Sequence, residues 1–280
     1  MTVPADAATT ARRAAVLGKP IAHSRSPLLH LAAYRALGLT GWTYERIECD
    51  EQQLPGLVAA LGPEWVGLSV TMPGKFAALR AADLRTDRAE LLGSANTLVA
   101  TDGGWLADNT DVDGVAGALG SVLADGERIE RAVVLGSGGT APAAVAGLAA
   151  LGAAEVTVVS RSRSRAENTL AVAAATGLEV HWCGWDAAAV RDAVAPAAAV
   201  VSTVPADVAA DLAADLAAVP VLLDAIYHPW PTPLAAAVTA AGGRVVGGLT
   251  MLLHQAFTQV ELFTGRPAPR AEMAAALACA

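Results

Sequence analysis

Lysine is almost missing from this chain: of 19 basic residues, only Lys19 and Lys75 are lysine. Where charge alone suffices, the protein writes Arg, so a surviving lysine points to chemistry that a guanidinium cannot do. Arg stays protonated, whereas Lys can release its proton when its surroundings lower its pKa. Cysteine is nearly as scarce. Cys49, Cys183 and Cys279 form no C-x-x-C pair, and an odd, sparse set suits a reducing cytoplasm. A basic balance is lacking too: the net charge of −8 argues against a general nucleic-acid binder, which needs a basic face to neutralise phosphates. No apolar run reaches the roughly 18 to 20 uninterrupted residues that span a bilayer. The five histidines, His23, His30, His181, His228 and His254, show no metal-ligand spacing, so no metal is assigned. Residues 1–12 carry a single arginine, Arg12, without a following apolar stretch of signal-peptide kind, and read as a disordered leader rather than a signal peptide.

What is present is alternation. Short apolar runs separated by segments of helical period predict an α/β chain built on parallel sheet with crossover helices. Strands are expected at 14–17, 43–48, 66–70 and 97–100, with helices at 27–37, 51–61 and 75–82. A second series of strands is expected at 131–135, 155–159, 178–181, 198–201, 221–223 and 244–246, between Ala-rich helices. A helix at 249–263 follows the last strand of that series, which suggests that it returns to the first domain. The expected domains are therefore 13–111 with 249–280, and 112–248.

Gly136-Ser137-Gly138-Gly139-Thr140-Ala141-Pro142 follows a strand and opens a helix. Gly136, Gly138 and Ala141 fit the G-x-G-x-x-G/A dinucleotide fingerprint, in which backbone approaches a pyrophosphate at a helix N-terminus. A dinucleotide fold that selects NAD places a carboxylate after the next strand; here that stretch is Ser160-Arg161-Ser162-Arg163-Ser164-Arg165. Guanidinium groups suit a 2′-phosphate, so NADP is the expected cofactor, with Arg161 and Arg165 as its readers.

Four polar clusters mark the first domain: His23-Ser24-Arg25-Ser26-Pro27, Ser69-Val70-Thr71-Met72-Pro73-Gly74-Lys75, Gly93-Ser94-Ala95-Asn96-Thr97 and Asp108-Asn109-Thr110-Asp111. The first two follow strands and so belong at the carboxyl edge of a sheet, where ligands bind. Each residue also has a plain structural reading. Ser26 suits a helix cap, Asn96 a turn, and Asp111 the N-cap of a helix beginning at Val112.

In order and spacing these clusters resemble the shikimate dehydrogenase family. Further matches are Asp224-x-x-Tyr227-x-Pro229-x-x-Thr232-Pro233-Leu234 and Gly248-x-x-Met251-x-x-x-Gln255-Ala256. The resemblance runs from Val16 to about Gly265. It implies an NADP-linked enzyme of aromatic amino-acid biosynthesis that interconverts 3-dehydroshikimate and shikimate. By that likeness Ser24 and Ser26, helped by Tyr227, would bind the substrate carboxylate. Thr71, Lys75, Asn96, Asp111 and Gln255 would hold the ring hydroxyls, with Lys75 and Asp111 as the catalytic pair. Gly136, Ser137, Gly138, Gly139 and Thr140 would meet the pyrophosphate, and Ser160, Arg161, Ser162 and Arg165 the adenosine phosphate. Ala225, Gly248 and Met251 would lie by the nicotinamide.

The chemistry agrees: hydride addition to a carbonyl leaves an alkoxide that needs a proton, and a lysine can both give and take one. Two departures stand out. The family usually has Asn where Ser69 stands and Phe where Gly74 stands. Two rivals remain: a quinate/shikimate dehydrogenase, often NAD-linked, and a silent sensor of NADP or shikimate, which would need neither Lys75 nor Asp111. The expected partners are small molecules, without nucleic acid or membrane, in the cytoplasm; a homodimer is left open.

Overall fold

The computed structural model describes residues 11–279. Their contacts divide them into two units: unit 1 runs through Thr110 and resumes at Gln255, and unit 2 runs from Asp111 to His254. Most of the expected leader lies outside the described residues, but Arg12 is already the first residue of a strand.

Unit 1 contains β1 (Arg12–Gly18), α1 (Ser26–Ala36), β2 (Trp42–Glu48), α2 (Leu54–Ala59), β3 (Trp65–Val70), α3 (Lys75–Ala81), β4 (Leu84–Arg85), α4 (Asp87–Leu92), β5 (Thr97–Thr101) and β6 (Gly104–Asp108). The strands form one sheet in the order β2-β1-β3-β5-β6-β4. This sheet is mixed rather than parallel, because β5 runs antiparallel to both β3 and β6. The expectation missed β6, which forms a hairpin with β5 across Asp102-Gly103. Asp-Gly between two runs is a hairpin signal, so this strand was within reach of the sequence. The second helix is shorter than expected, since Asp50 caps the backbone N–H groups of Gln52 and Gln53 in a turn before it.

Unit 2 contains α5 (Asp111–Gly120), β7 (Arg131–Leu135), α6 (Ala141–Ala150), β8 (Glu155–Val159), α7 (Arg163–Ala175), β9 (Glu179–Cys183), α8 (Ala187–Val194), β10 (Ala199–Ser202), α9 (Ala206–Ala210), α10 (Ala213–Leu216), β11 (Val221–Asp224), α11 (Pro233–Ala240) and β12 (Arg244–Gly247). All pairings in its sheet are parallel, in the order β12-β11-β10-β7-β8-β9. The chain leaves β7 in one direction and returns to its other side at β10, the strand order of the dinucleotide-binding fold. β10 and β11 are buried throughout, as expected of strands covered on both faces. The alanines have a packing role. A Cβ at Gly147 of α6 would meet Val115 of α5, so small residues let these helices lie close.

The chain ends with α12 (Gly248–Thr264) and α13 (Arg270–Ala278). From Gln255 onward they belong to unit 1, six residues later than the expected return at 249. There the Phe263 ring packs against Gly67 of β3, where any side chain would collide with it. Burying a Phe in this way stabilises the unit by about 2 kcal/mol.

Candidate functional site

Strand direction gathers the polar clusters of unit 1. β1 and β3 are parallel; the loop after β1 carries Ser24 and leads into Ser26 of α1, and the loop after β3 carries Thr71 and leads into Lys75 of α3. Because β5 runs the other way, its first residue, Thr97, pairs with Ser69 near the end of β3 and in turn with Asp108 at the end of β6. Asn96 and the segment after Asp108 therefore reach the same edge. The sequence placed only the first two clusters there; the antiparallel β5 and β6 deliver the other two.

Hydrogen bonds lace these loops together. Thr71 N–H donates to the Leu17 carbonyl, Val70 N–H to that of Asn96 at 2.7 Å, and Ala95 N–H to that of Lys75 at 3.0 Å. Lys75 is the first residue of α3 and half-buried. Asn96 is buried and does more than hold a turn. Its Oδ1 accepts from Thr110 N–H at 2.8 Å, and its Nδ2 donates to Thr110 Oγ1 and to Gln255 Oε1 at 3.1 Å. Ser26 is buried inside α1 and is not its cap, which is Arg25. Arg46, which the sequence did not single out, donates twice to the Ser24 carbonyl, at 2.9 and 2.6 Å, and so fixes the serine loop. Gln255 reaches this edge from α12.

Two members of the Asp-Asn-Thr-Asp cluster are structural anchors. Asn109 Nδ2 donates to the carbonyl and hydroxyl of Ser94. Asp108 accepts two bonds from Arg88, each at 2.7 Å, and others from Thr86 and its neighbour's N–H. Burial alone would raise the Asp108 pKa, but Arg88 above all holds it below the usual carboxylate range. Asp111 follows as the first residue of α5 in unit 2, buried and one position earlier than the helix start expected.

In unit 2 the Gly136–Thr140 stretch joins β7 to α6, next to the point where strand order reverses. Gly136 has φ +112°, a conformation in which a Cβ is strained, and a Cβ there would also strike Thr203 after β10. Gly138 faces open space. Arg161, just before α7, and Arg165, in its first turn, are exposed, and neither enters an ion pair among the described residues. Ser160 differs from them. Its buried hydroxyl donates to the Ser162 carbonyl and accepts from Trp182, so it shapes the loop from within. A bare glycine turn at the switch point beside unopposed guanidinium groups fits a dinucleotide with a phosphorylated ribose.

Ala225 and Tyr227 sit on a loop after β11 that Asp224 pins. Asp224 accepts from Thr232 Oγ at 2.6 Å and from Ile226 N–H at 3.1 Å, while Thr232 also caps α11. Gly248 opens α12 against the Ala225 carbonyl, too close for a side chain, and Met251 is buried one turn on. At the opposite edge of this sheet, Glu155, Glu179 and His181 bring three potential ligand atoms within 4.8 Å of one another. The pairing of β8 with β9 makes that group, which sequence spacing did not show. Arg131 already pairs with Glu155 there.

Comparisons with known proteins agree with this geometry. The family model described as the shikimate dehydrogenase substrate binding domain matches residues 16–98, and that of the shikimate 5′-dehydrogenase C-terminal domain matches 248–278. Shikimate dehydrogenase (NADP(+)) of Methylobacterium radiotolerans is 39% identical over 263 residues, 92% of this chain and 93% of that protein. The structure of Mycobacterium tuberculosis shikimate dehydrogenase is 64% identical with a TM-score of 0.91, covering 96% of this chain and all of that one. Quinate dehydrogenase from Corynebacterium glutamicum, in complex with NAD, is 28% identical with a TM-score of 0.81, covering 96% and 99%. In its motifs, its two units and its likeness to these proteins along nearly its whole length, the chain belongs to the shikimate dehydrogenase family.

Proposed function

We propose that the protein reversibly reduces 3-dehydroshikimate to shikimate with NADPH, a step of aromatic amino-acid biosynthesis. The observation that carries this reading is the gathering of Ser24, Ser26, Thr71, Lys75, Asn96 and Gln255 at one edge of the unit 1 sheet. Hydroxyls and amides at that density suit a small ring that carries several hydroxyls and a carboxylate. Ser24 and Ser26, with Tyr227, take the carboxylate; Thr71, Asn96 and Gln255 take ring hydroxyls.

When bound, the cofactor supplies the hydride. Lys75 donates a proton to the oxygen that becomes negative as the carbonyl is reduced, and takes it back in the reverse direction. Asp111 orients that amine and shares the proton traffic. The Gly136–Thr140 turn holds the pyrophosphate through backbone N–H groups, and Arg161 and Arg165 read the 2′-phosphate. Ala225, Gly248 and Met251 border the nicotinamide.

Among the described residues no helix is long and apolar enough to cross a membrane. We place the enzyme in the cytoplasm, with small molecules rather than nucleic acid as partners. Light scattering after gel filtration decides between monomer and homodimer. The test of function follows NADPH and NADH oxidation with 3-dehydroshikimate, then the reverse reaction with shikimate and quinate. Turnover of the NADPH and shikimate pairs supports the reading. Preference for quinate with NAD would move it to the broader enzyme, and no turnover with any pair would revive the sensor.

A further inference from the structure

Gln259 lies one turn beyond Gln255 on α12 and is 1% exposed. An amide so deeply buried is costly unless every donor and acceptor is met, and here all are. Its Oε1 accepts from Ser69 Oγ at 2.7 Å and faces His30 Nε2 at 3.3 Å. Its Nε2 donates to Thr97 Oγ1 at 2.9 Å and to the Asn96 carbonyl at 3.3 Å.

The partners matter more than their number. Ser69 and Thr97 face each other across β3 and β5, so Gln259 clamps this pair from above. Just beyond Ser69 come Thr71 and Lys75; just before Thr97 comes Asn96; His30 rides on the helix that begins at Ser26. A run of donors passes through the amide: Tyr44 donates to Ser69, Ser69 to Gln259, Gln259 to Thr97, Thr97 to Asn96 Oδ1 and Asn96 Nδ2 to Gln255. Thr97 Oγ1 and the Thr110 N–H both donate to Asn96 Oδ1, so this run supports the orientation in which Asn96 Nδ2 faces Gln255. Burial holds the His30 pKa down at about 3, so the ring is neutral and serves Gln259 as an N–H donor.

We propose that Gln259 is a positioning residue for substrate binding: through Thr97 it supports the orientation of Asn96, and it fixes the spacing of the segments that carry Thr71, Lys75 and Asn96. The proposal rests on the reading that those side chains face shikimate. It is tested with Gln259→Met in the full chain, which keeps the volume and removes the amide. Shikimate KM should rise about tenfold, the weight of one or two hydrogen bonds, while the Kd for NADP+ measured without shikimate stays within twofold. A folded variant with unmoved shikimate KM, or with equal losses for shikimate and NADP+, would overturn it. If Gln259→Met does not fold, Thr97→Val breaks the next link and Thr97→Ser restores it. The valine should raise shikimate KM and the serine should recover it; an unchanged KM in the valine variant, or no recovery with serine, sinks the proposal. Absence of shikimate turnover in the wild-type protein removes the functional reading and this proposal with it. Wild-type turnover with an unmoved variant removes the proposal alone.

Discussion

The two units are built from similar strands and helices, yet their interiors differ in kind. Unit 1 buries a connected set of side-chain amides and hydroxyls: Ser69, Gln259, Thr97, Asn96 and Thr110. The strands of unit 2 bury almost only Val, Leu and Ala, and the polar residues hidden there, such as Asp224 and Thr232, fasten single loops. A ring with several hydroxyls must be read by side chains, each aimed by a neighbour, whereas a pyrophosphate can be held by backbone N–H groups that any small-residue turn supplies. Recognition by side chains needs a polar interior to support it; recognition by backbone needs only room.

The comparison breaks most visibly at Lys75. Lys75→Ala should lower kcat by on the order of 10² or more, with circular dichroism and NADPH affinity unchanged, because the proposed proton donor belongs to unit 1 and the glycine turn proposed for the cofactor to unit 2. Wild-type turnover in that variant would remove Lys75 from the mechanism.

Next comes Asp108, which accepts four hydrogen bonds, from Arg88, Thr86 and the Asn109 N–H. Asp108→Asn should cost about 2 kcal/mol at neutral pH, as expected for losing charge-assisted bonds. The folded pKa of Asp108 lies below its unfolded value of ~3.9. Its contribution is therefore present above that value and lost as pH falls through the folded pKa. Urea melts at pH 7 and near pH 3 should show the gap between wild type and variant narrowing in acid.

Arg161→Ala tests unit 2: NADPH affinity should fall about tenfold and NADH affinity by less than about twofold, consistent with one lost charge-assisted contact. Equal losses would mean that the arginines do not read the 2′-phosphate. The smallest effect is expected at Asp224, where burial raises the pKa above the ordinary value despite the bonds from Thr232 and Ile226. The sign is opposite to that at Asp108: stability is greatest below the unfolded value and declines as pH rises through the folded one. Asp224→Asn should cost less than about 1 kcal/mol at pH 7 and flatten that decline.

The sequence showed these differences unevenly. The strand series of unit 2 was legible because parallel strands buried on both faces read as plain apolar runs, and β7 and β8 lie where expected. In unit 1 the candidate residues stood out one by one, but their convergence did not, since it depends on β5 running against β3. Arg88, Arg46 and Gln259 escaped notice for one reason: their partners are distant in sequence, at Asp108, Ser24 and Ser69. A spaced motif records residues that meet a ligand; residues that meet only those residues leave no local pattern.

The packing of Phe263 on Gly67 also orders events in time. When the first hundred or so residues of unit 1 emerge from a ribosome, the strand at Gly67 still lacks its cover. At roughly 5–20 residues per second, the wait until α12 appears is on the order of ten seconds, during which unit 2 is made in full. The segment that covers Gly67 is thus made only after unit 2, although it belongs to the unit begun before it.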